Sequence, residues 1–332
     1  MRVNSSEEIE FGVNFATYGS PSFQFLLESS IKAERIGFDA LWVPDHLFLP
    51  ERIYRAIGKT GWKRDMLDAW IVLAAIATVT KRVKIGSCVT PIPLRSPSLL
   101  AKTIATLDNL SGGRVIFGAG AGWFPEEFLS YGFQWDKFRV RIAKTEEGLT
   151  VIKKLWTEDS PTYIGQFYKI VNAHLWPKPA QKPHPPIFLG GKSREILEIT
   201  AKMGDGWISW AVSSSEFREK TLTIRDIAKK IEREASALKP ACCLIVSVSE
   251  DYEESRRIAE HYVTNFFGKP LNELGDFIIY GKVDDCISGI EKFIKAGATH
   301  IAFRPMRNED MPKFLDAFEK KVIPYFKEGC KA

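Results

Sequence analysis

The strand-like segments of this chain show almost no polar alternation, and that constrains the fold more than any other feature. Ala40–Val43, Val83–Cys88, Arg114–Phe117, Ile187–Leu189 and Cys242–Val248 are near-continuous apolar runs. A strand with one face in water alternates; runs like these are buried on both faces, as in a parallel sheet covered by helices. Phe11–Ala16, Gly206–Ser209 and His300–Phe303 complete a set of eight strand candidates. Parallel neighbours need long crossovers, and helical spacing fills the gaps between them. Helices are predicted over Ser22–Ile36, Asp65–Thr80, Ser96–Leu110, Lys137–Trp156, Arg194–Lys202, Glu216–Leu238, Glu253–Phe267, Val283–Ala296 and Met311–Phe326. Gly37 is placed to stop the first, and Ser96-Pro97 to start the third.

Eight strands in 332 residues suit an α/β fold, a (β/α)8 TIM barrel with insertions, read as a single domain over residues 1–332. A doubly wound open sheet is the alternative. Insertions are expected near residues 50–66, 158–186 and 250–282. The second would hold a hairpin about Gly165-Gln166 and a rigid connector from Pro177 to Pro186; the third would include a loop over Gly268–Gly281.

With 46 Lys and Arg against 41 Asp and Glu, the net charge of +5 is mild and the basic residues are scattered among acidic ones, so no nucleic-acid partner is expected. No apolar run is long enough to cross a bilayer. Met1–Glu10 are polar and acidic, so no secretory signal is expected. The five cysteines, Cys88, Cys242, Cys243, Cys286 and Cys330, match neither a zinc site nor a C-x-x-C pair. Reduced thiols in a cytoplasm are the expectation, with no metal.

In both fold classes ligands sit where parallel strands end. Leu41-Trp42-Val43-Pro44-Asp45-His46 ends a strand on a carboxylate beside an imidazole. His46 is the candidate proton-transfer group, with Asp45 orienting the ring or meeting the ligand; a buried hydrogen-bond network is the alternative. Thr90, after Ser87-Cys88-Val89, is a candidate hydrogen-bonding residue, and Cys88 reads as a small buried filler. Gly118-Ala119-Gly120-Ala121-Gly122 is not a nicotinamide fingerprint, because Trp123 and Pro125 stand where its third glycine belongs. It is either a plain strand-exit turn or a place where backbone approaches a flat ligand. Gly190-Gly191-Lys192-Ser193 opens a helix and is a candidate phosphate site, with ordinary capping by Ser193 as the alternative. Arg304 ends the last strand, either to meet an anion or to stand in solvent. Trp123, Phe124 and Trp210 would wall a flat cofactor or simply pack. No G-x-S-x-G, H-E-x-x-H or His-carboxylate cluster is present, so redox work would require an organic cofactor.

Together these motifs resemble the bacterial luciferase-like superfamily. The resemblance rests on Trp42-Val43-Pro44-Asp45-His46, on Val89-Thr90-Pro91 with Arg95-Ser96-Pro97 and Ala101, and on Ala105-Thr106-Leu107-Asp108-Asn109-Leu110-Ser111-Gly112-Gly113-Arg114 with Gly118–Trp123. Gly190-Gly191, Gly204-Asp205-Gly206-Trp207 and Gly297-Ala298-Thr299-His300 extend it along essentially the whole chain. The resemblance implies a barrel enzyme using the 8-hydroxy-5-deazaflavin coenzyme F-420 to move a hydride to or from a small organic substrate. Alternatives are a two-component monooxygenase using reduced FMN and a non-catalytic flavin-binding barrel. It implies His46 at the reacting carbon, held by Asp45. It implies cofactor contacts at Cys88, Val89, Thr90, Gly122, Trp123, Gly190, Gly191, Lys192, Ser193 and Arg304, a cis Cys88–Val89 bond, and a homodimer. Deazaflavin-dependent glucose-phosphate enzymes carry Glu directly after the glycine loop, where this chain has Trp123. Glu126 and Glu127 read as helix-start carboxylates.

Overall fold

The computed structural model describes residues 9–19, 21–59 and 65–327. The amino-terminal stretch that argued against a secretory signal, the basic end of the first insertion at Lys63-Arg64, and Cys330 lie wholly or largely outside the described residues.

Eight parallel strands close into a barrel: β1 (Glu10–Asn14), β2 (Ala40–Val43), β3 (Lys84–Ser87), β4 (Val115–Gly120), β5 (Ile187–Gly190), β6 (Gly206–Trp210), β7 (Lys239–Val248) and β8 (His300–Pro305). Each pairs with its sequence neighbour, and β8 returns to β1 with Glu10 opposite His300 and Val13 opposite Phe303. The main crossover helices are α1 (Phe23–Ile36), α2 (Ala69–Val79), α3 (Pro97–Ser111), α4 (Phe138–Thr157), α5 (Arg194–Met203), α6 (Ser214–Lys230) and α7 (Val283–Lys295). A final helical run, Met311–Lys327, passes through one π-turn. The open-sheet alternative is excluded by the β8–β1 closure.

Local chemistry explains several boundaries. Ser22 accepts from the Phe25 N–H at 3.1 Å, and Gly37 ends α1 with φ +101°. Ser96 starts α3 without a side-chain cap, the fixed φ of Pro97 sufficing. β4 is longer than predicted: Gly118, Ala119 and Gly120 belong to the strand rather than to an exit turn. The predicted loop 268–281 contains a further strand, Ile278–Gly281. It pairs with Ile245–Val248 of β7, past the point where β6 has ended. Its apolar run is too short to read alone, and β7's unpaired edge supplies the reason it forms. The predicted hairpin is present as Tyr163–Ile164 against Lys169–Ile170, followed by cis Trp176–Pro177 and Lys182–Pro183.

The barrel interior is filled by Trp42, Ile116, Phe188, Ile208 and Cys243 with small residues between them. Trp42 fits because Gly86 flanks it: a Cβ there would lie 2.7 Å from the indole. The indole Nε1–H donates to His300 Nε2 at 2.9 Å, and His300 Nδ1 meets Glu10 at 3.0 Å. Glu10 also meets Lys84 at 2.7 Å and Lys239 at 3.2 Å. Burial alone would raise the Glu10 carboxyl, but its contacts with His300 and Lys84 hold it well below the usual value of 4.5. A depressed carboxyl contributes stability above its ordinary pKa and loses it as pH falls below. The melting-temperature gap between the wild type and Glu10→Gln should therefore be widest above roughly pH 5 and narrow steadily below pH 4. Thermal melts across that range check it; a gap that widens on acidification would contradict it.

Candidate active site

Because every barrel strand is parallel, the segments leaving β2, β3, β4, β5 and β8 gather at one end. His46 lies there, 14 % exposed at its side chain. Its Nδ1 stands 3.1 Å from both carboxylate oxygens of Glu127. The Leu47 N–H donates to Glu127 at 2.6 Å. A carboxylate only accepts, so Nδ1 carries the proton and Nε2 is left for other partners. Glu127 is fully buried in the first turn of a short helix, Pro125–Ser130. It is a helix-start carboxylate by position, yet its side chain serves the histidine.

Asp45 does not hold His46. It is buried and takes Arg95 in a bidentate pair, Nε to Oδ2 at 2.9 Å and Nη2 to Oδ1 at 2.6 Å. Neighbouring side chains on an extended chain leave in opposite directions, so adjacent residues rarely share a partner. Arg95 also reaches Asp68 at 2.8 Å, and Asp68 caps α2 through the N–H groups of Trp70 and Ile71. Burial alone would lower the Arg95 pKa, but Asp45 and Asp68 raise it above its ordinary value. This chain of charges ties the β2 exit to the starts of α2 and α3.

The Cys88–Val89 bond is cis, as the resemblance implies. The Val89 side chain lies against the backbone of Gly120 and Gly190, where an added Cβ would come within 2.8 and 2.7 Å. Thr90 is fully buried, and its hydroxyl has no hydrogen-bond partner among the described residues. Cys88 is half-buried rather than the buried filler expected, and contact with the Cys243 thiol, then burial, pushes its thiol up. Cys243 itself was not singled out from the sequence. Burial raises its thiol, and Cys88, Arg304 and Asn14 together outweigh that and lower it.

Arg304 is buried rather than solvated. It donates to Asn14 at 3.4 Å and to the Tyr18 hydroxyl, and its guanidinium lies 5.1 Å from the Tyr18 ring and 5.7 Å from that of Trp210. None of the ion pairs among the described residues involves it. Gly122 takes φ +75° after β4. Gly190 ends β5, and Ser193 caps α5, accepting from the Ile196 N–H at 3.4 Å. Gly191 and Lys192 are exposed beside it. Trp123 stands edge-on to His46, with ring centroids 5.7 Å apart.

The chain matches the luciferase-like monooxygenase family model over residues 9–300, and it belongs to that family. It is 28% identical over 322 residues to an F420-dependent glucose-6-phosphate dehydrogenase of Amycolatopsis mediterranei, covering 90% of this chain and 93% of that one. It is 30% identical to an FMNH(2)-dependent dimethylsulfone monooxygenase of Pseudomonas putida over 201 residues, 60% of this chain and 54% of the relative. Among solved structures it is similar to an F420-dependent secondary alcohol dehydrogenase in complex with an F420-acetone adduct. That match has a TM-score of 0.81 at 25% identity and covers 96% and 99% of the two chains.

Glu127 joins two loops, so its loss leaves the Leu47 N–H and His46 without their acceptor. Glu127→Ala should lower stability by about 3 kcal/mol, and Glu127→Gln by clearly less, in urea unfolding. Equal losses for both variants would mean that packing, not hydrogen bonding, sets the contribution of Glu127.

Proposed function

We propose that this protein is an oxidoreductase using the deazaflavin coenzyme F-420, acting on a small organic substrate. The observation that carries the reading is the His46–Glu127 pair at the mouth of a luciferase-like barrel. The full-length likeness to the deazaflavin-dependent dehydrogenase supports the choice of cofactor.

The residues present fit a flat ring with polar edges: Thr90 has an unpartnered buried hydroxyl, and Gly120 and Gly190 hold Val89 in place. Cys88, Val89 and Thr90 would back the ring, Gly122 would let the chain turn beside it, and Gly190, Gly191, Lys192 and Ser193 would hold its phosphate. Arg304 brings a positive charge to the same end of the barrel. When bound, the coenzyme supplies a two-electron hydride acceptor or donor, so oxidation of an alcohol leaves its hydroxyl proton to be taken up. His46 takes that proton on Nε2, and returns it in the reverse direction. Glu127 keeps the imidazole in one tautomer and stabilises its protonated form. Asp45 acts at one remove, fixing the loop through Arg95.

His46→Ala should lower kcat by about 100-fold or more while the coenzyme Kd stays within about threefold. Fluorescence titration of the stripped protein with the deazaflavin coenzyme, and separately with FMN, tests the cofactor itself. The runner-up is a reduced-FMN monooxygenase, favoured by the partial match to the Pseudomonas enzyme; preference for FMN with oxygen consumption would select it.

We also propose a cytoplasmic homodimer. Ile71 of α2 and Leu99 and Leu110 of α3 are each at least 70% exposed, which supports a covered face there. Light scattering should report twice the 37.5 kDa chain mass; a monomer would contradict it.

A further inference from the structure

Successive side chains of a strand face opposite ways, and β8 shows both faces. Phe303 packs outward, against Phe314 and Phe318 of the final helical run. His300 and Ala302 face the barrel interior, where His300 meets Trp42. Arg304 continues that inward row at the mouth end of the strand. A buried guanidinium thus caps the barrel core, between the Tyr18 and Trp210 rings and the Tyr262 hydroxyl. No acid among the described residues answers its charge. It donates to the Asn14 amide oxygen at 3.4 Å and to the Tyr18 hydroxyl, both neutral. The segment 60–64 contains no acidic residue. The acids outside the described residues, Glu7, Glu8 and Glu328, are chain neighbours of Ile9 and Lys327, which lie at the opposite end of the barrel with Glu10. A buried charge with neutral partners is unfavourable until an anion joins it.

Tyr262 offers a second donor. It comes from the helix Tyr252–Phe267 and is fully buried. Its hydroxyl touches Arg304 but completes no hydrogen bond of ordinary geometry among the described residues. Burial, then the neighbouring Tyr18, holds its phenol above the usual value, so at neutral pH it keeps its proton to donate. The other ionisable neighbour of Arg304 is the Cys243 thiol. Strand order separates this cluster from the coenzyme. The residues that would back the ring and hold its phosphate follow β3, β4 and β5, whereas Arg304 lies on β8, between β7 and β1, across the barrel. His46 leaves β2, between the two arcs. One guanidinium with uncharged hydroxyls balances a single negative charge. A carboxylate suits it better than a phosphate dianion, and its planar fork matches a planar carboxylate.

We infer that Arg304 and Tyr262 form an anion subsite at the top of the barrel core, and that the substrate is a hydroxy acid, or its oxo acid in reverse, held there by its carboxylate. This rests on the oxidoreductase reading above. It assigns Arg304 to the substrate, not to the coenzyme. In the oxidation the C–H electron pair leaves as hydride to the coenzyme, the hydroxyl proton goes to His46, and the carboxylate stays unchanged on Arg304.

The test uses full-length protein and calorimetric binding of 2-oxobutyrate, of 2-oxobutyramide as its neutral match, of inorganic phosphate and of the coenzyme. Wild type is compared with Arg304→Gln, Tyr262→Phe and Cys243→Ser. The oxo acid should bind the wild type at least about 10-fold more tightly than its amide. Arg304→Gln should abolish that preference and Tyr262→Phe should reduce it about threefold or more, with coenzyme affinity held within about threefold in both. 2-Oxobutyrate should raise the melting temperature of the wild type and not that of Arg304→Gln. With coenzyme bound, 2-hydroxybutyrate should be oxidised in preference to 2-butanol, and Arg304→Gln should erase the preference mainly through KM. Equal binding of acid and amide would overturn the inference and leave the oxidoreductase reading intact. So would phosphate binding through Arg304 more tightly than the oxo acid, or Arg304→Gln weakening the coenzyme but not the oxo acid. Carboxylate binding gained only in Cys243→Ser would identify that thiolate as the resident counter-charge and overturn it too. If 2-oxobutyrate binding depends on Arg304 while neither the deazaflavin nor FMN binds, the anion subsite stands and the oxidoreductase reading falls.

Discussion

The Glu127 carboxylate is the joint on which the candidate site depends. It is fully buried, and both its oxygens lie within 3.1 Å of His46 Nδ1. A buried charge is tolerated only when its lone pairs are filled, and here the Leu47 N–H and the imidazole fill them. The same contacts therefore do two things. They fasten the loop after β2 to the loop after β4, and they decide which imidazole nitrogen faces the mouth. Removing the carboxylate would free both loops and both tautomers together, so the geometry of His46 and the stability of this end of the barrel are not separable properties.

A second carboxylate, one residue before the histidine, works at right angles to this logic. Asp45 is equally buried and turns away from His46 toward Arg95. Its bidentate pair, continued to Asp68, holds the loop from behind while Glu127 holds it from in front. A strand exit pinned from both sides has little freedom, which is the preorganisation a proton-transfer group requires. The opposite end of the barrel is fixed differently. There Trp42, His300 and Glu10 form one hydrogen-bonded line from the interior to the surface lysines. Trp42 belongs to the same strand that leads into Pro44-Asp45-His46, so this network anchors the strand from which the histidine emerges.

Much of this is legible in the sequence. The unalternated runs at Ala40–Val43 and Cys242–Val248 announced buried parallel strands, and His46 was identifiable as a polar group where one of them stops. Gly37 and Ser193 ended and began helices for local reasons that hold in the structure. What stayed hidden was long-range. The partner of His46 lies 81 residues away, and Glu127 carries only the local pattern of an ordinary first-turn acid. Sequence adjacency points to Asp45 instead, whose carboxylate is taken by Arg95. Strand Ile278–Gly281 was missed for the same reason: what makes it a strand is the free edge of β7, not its own four residues. Gly118 and Gly120 read as loop because glycine in a strand is normally unfavourable; they are there because the Ser87 carbonyl and the Val89 side chain, respectively, occupy the space their side chains would need.

These two kinds of information divide the molecule. The barrel floor is specified by side-chain volume, Trp42 against Gly86, and tolerates little. The mouth is specified by pairing: Glu127 with His46, Asp45 with Arg95, Arg304 with Tyr18 and Asn14. Both carboxylates are spent on fixing the loop that carries His46, so what a ligand meets at the mouth is set by the loops after the strands rather than by the barrel.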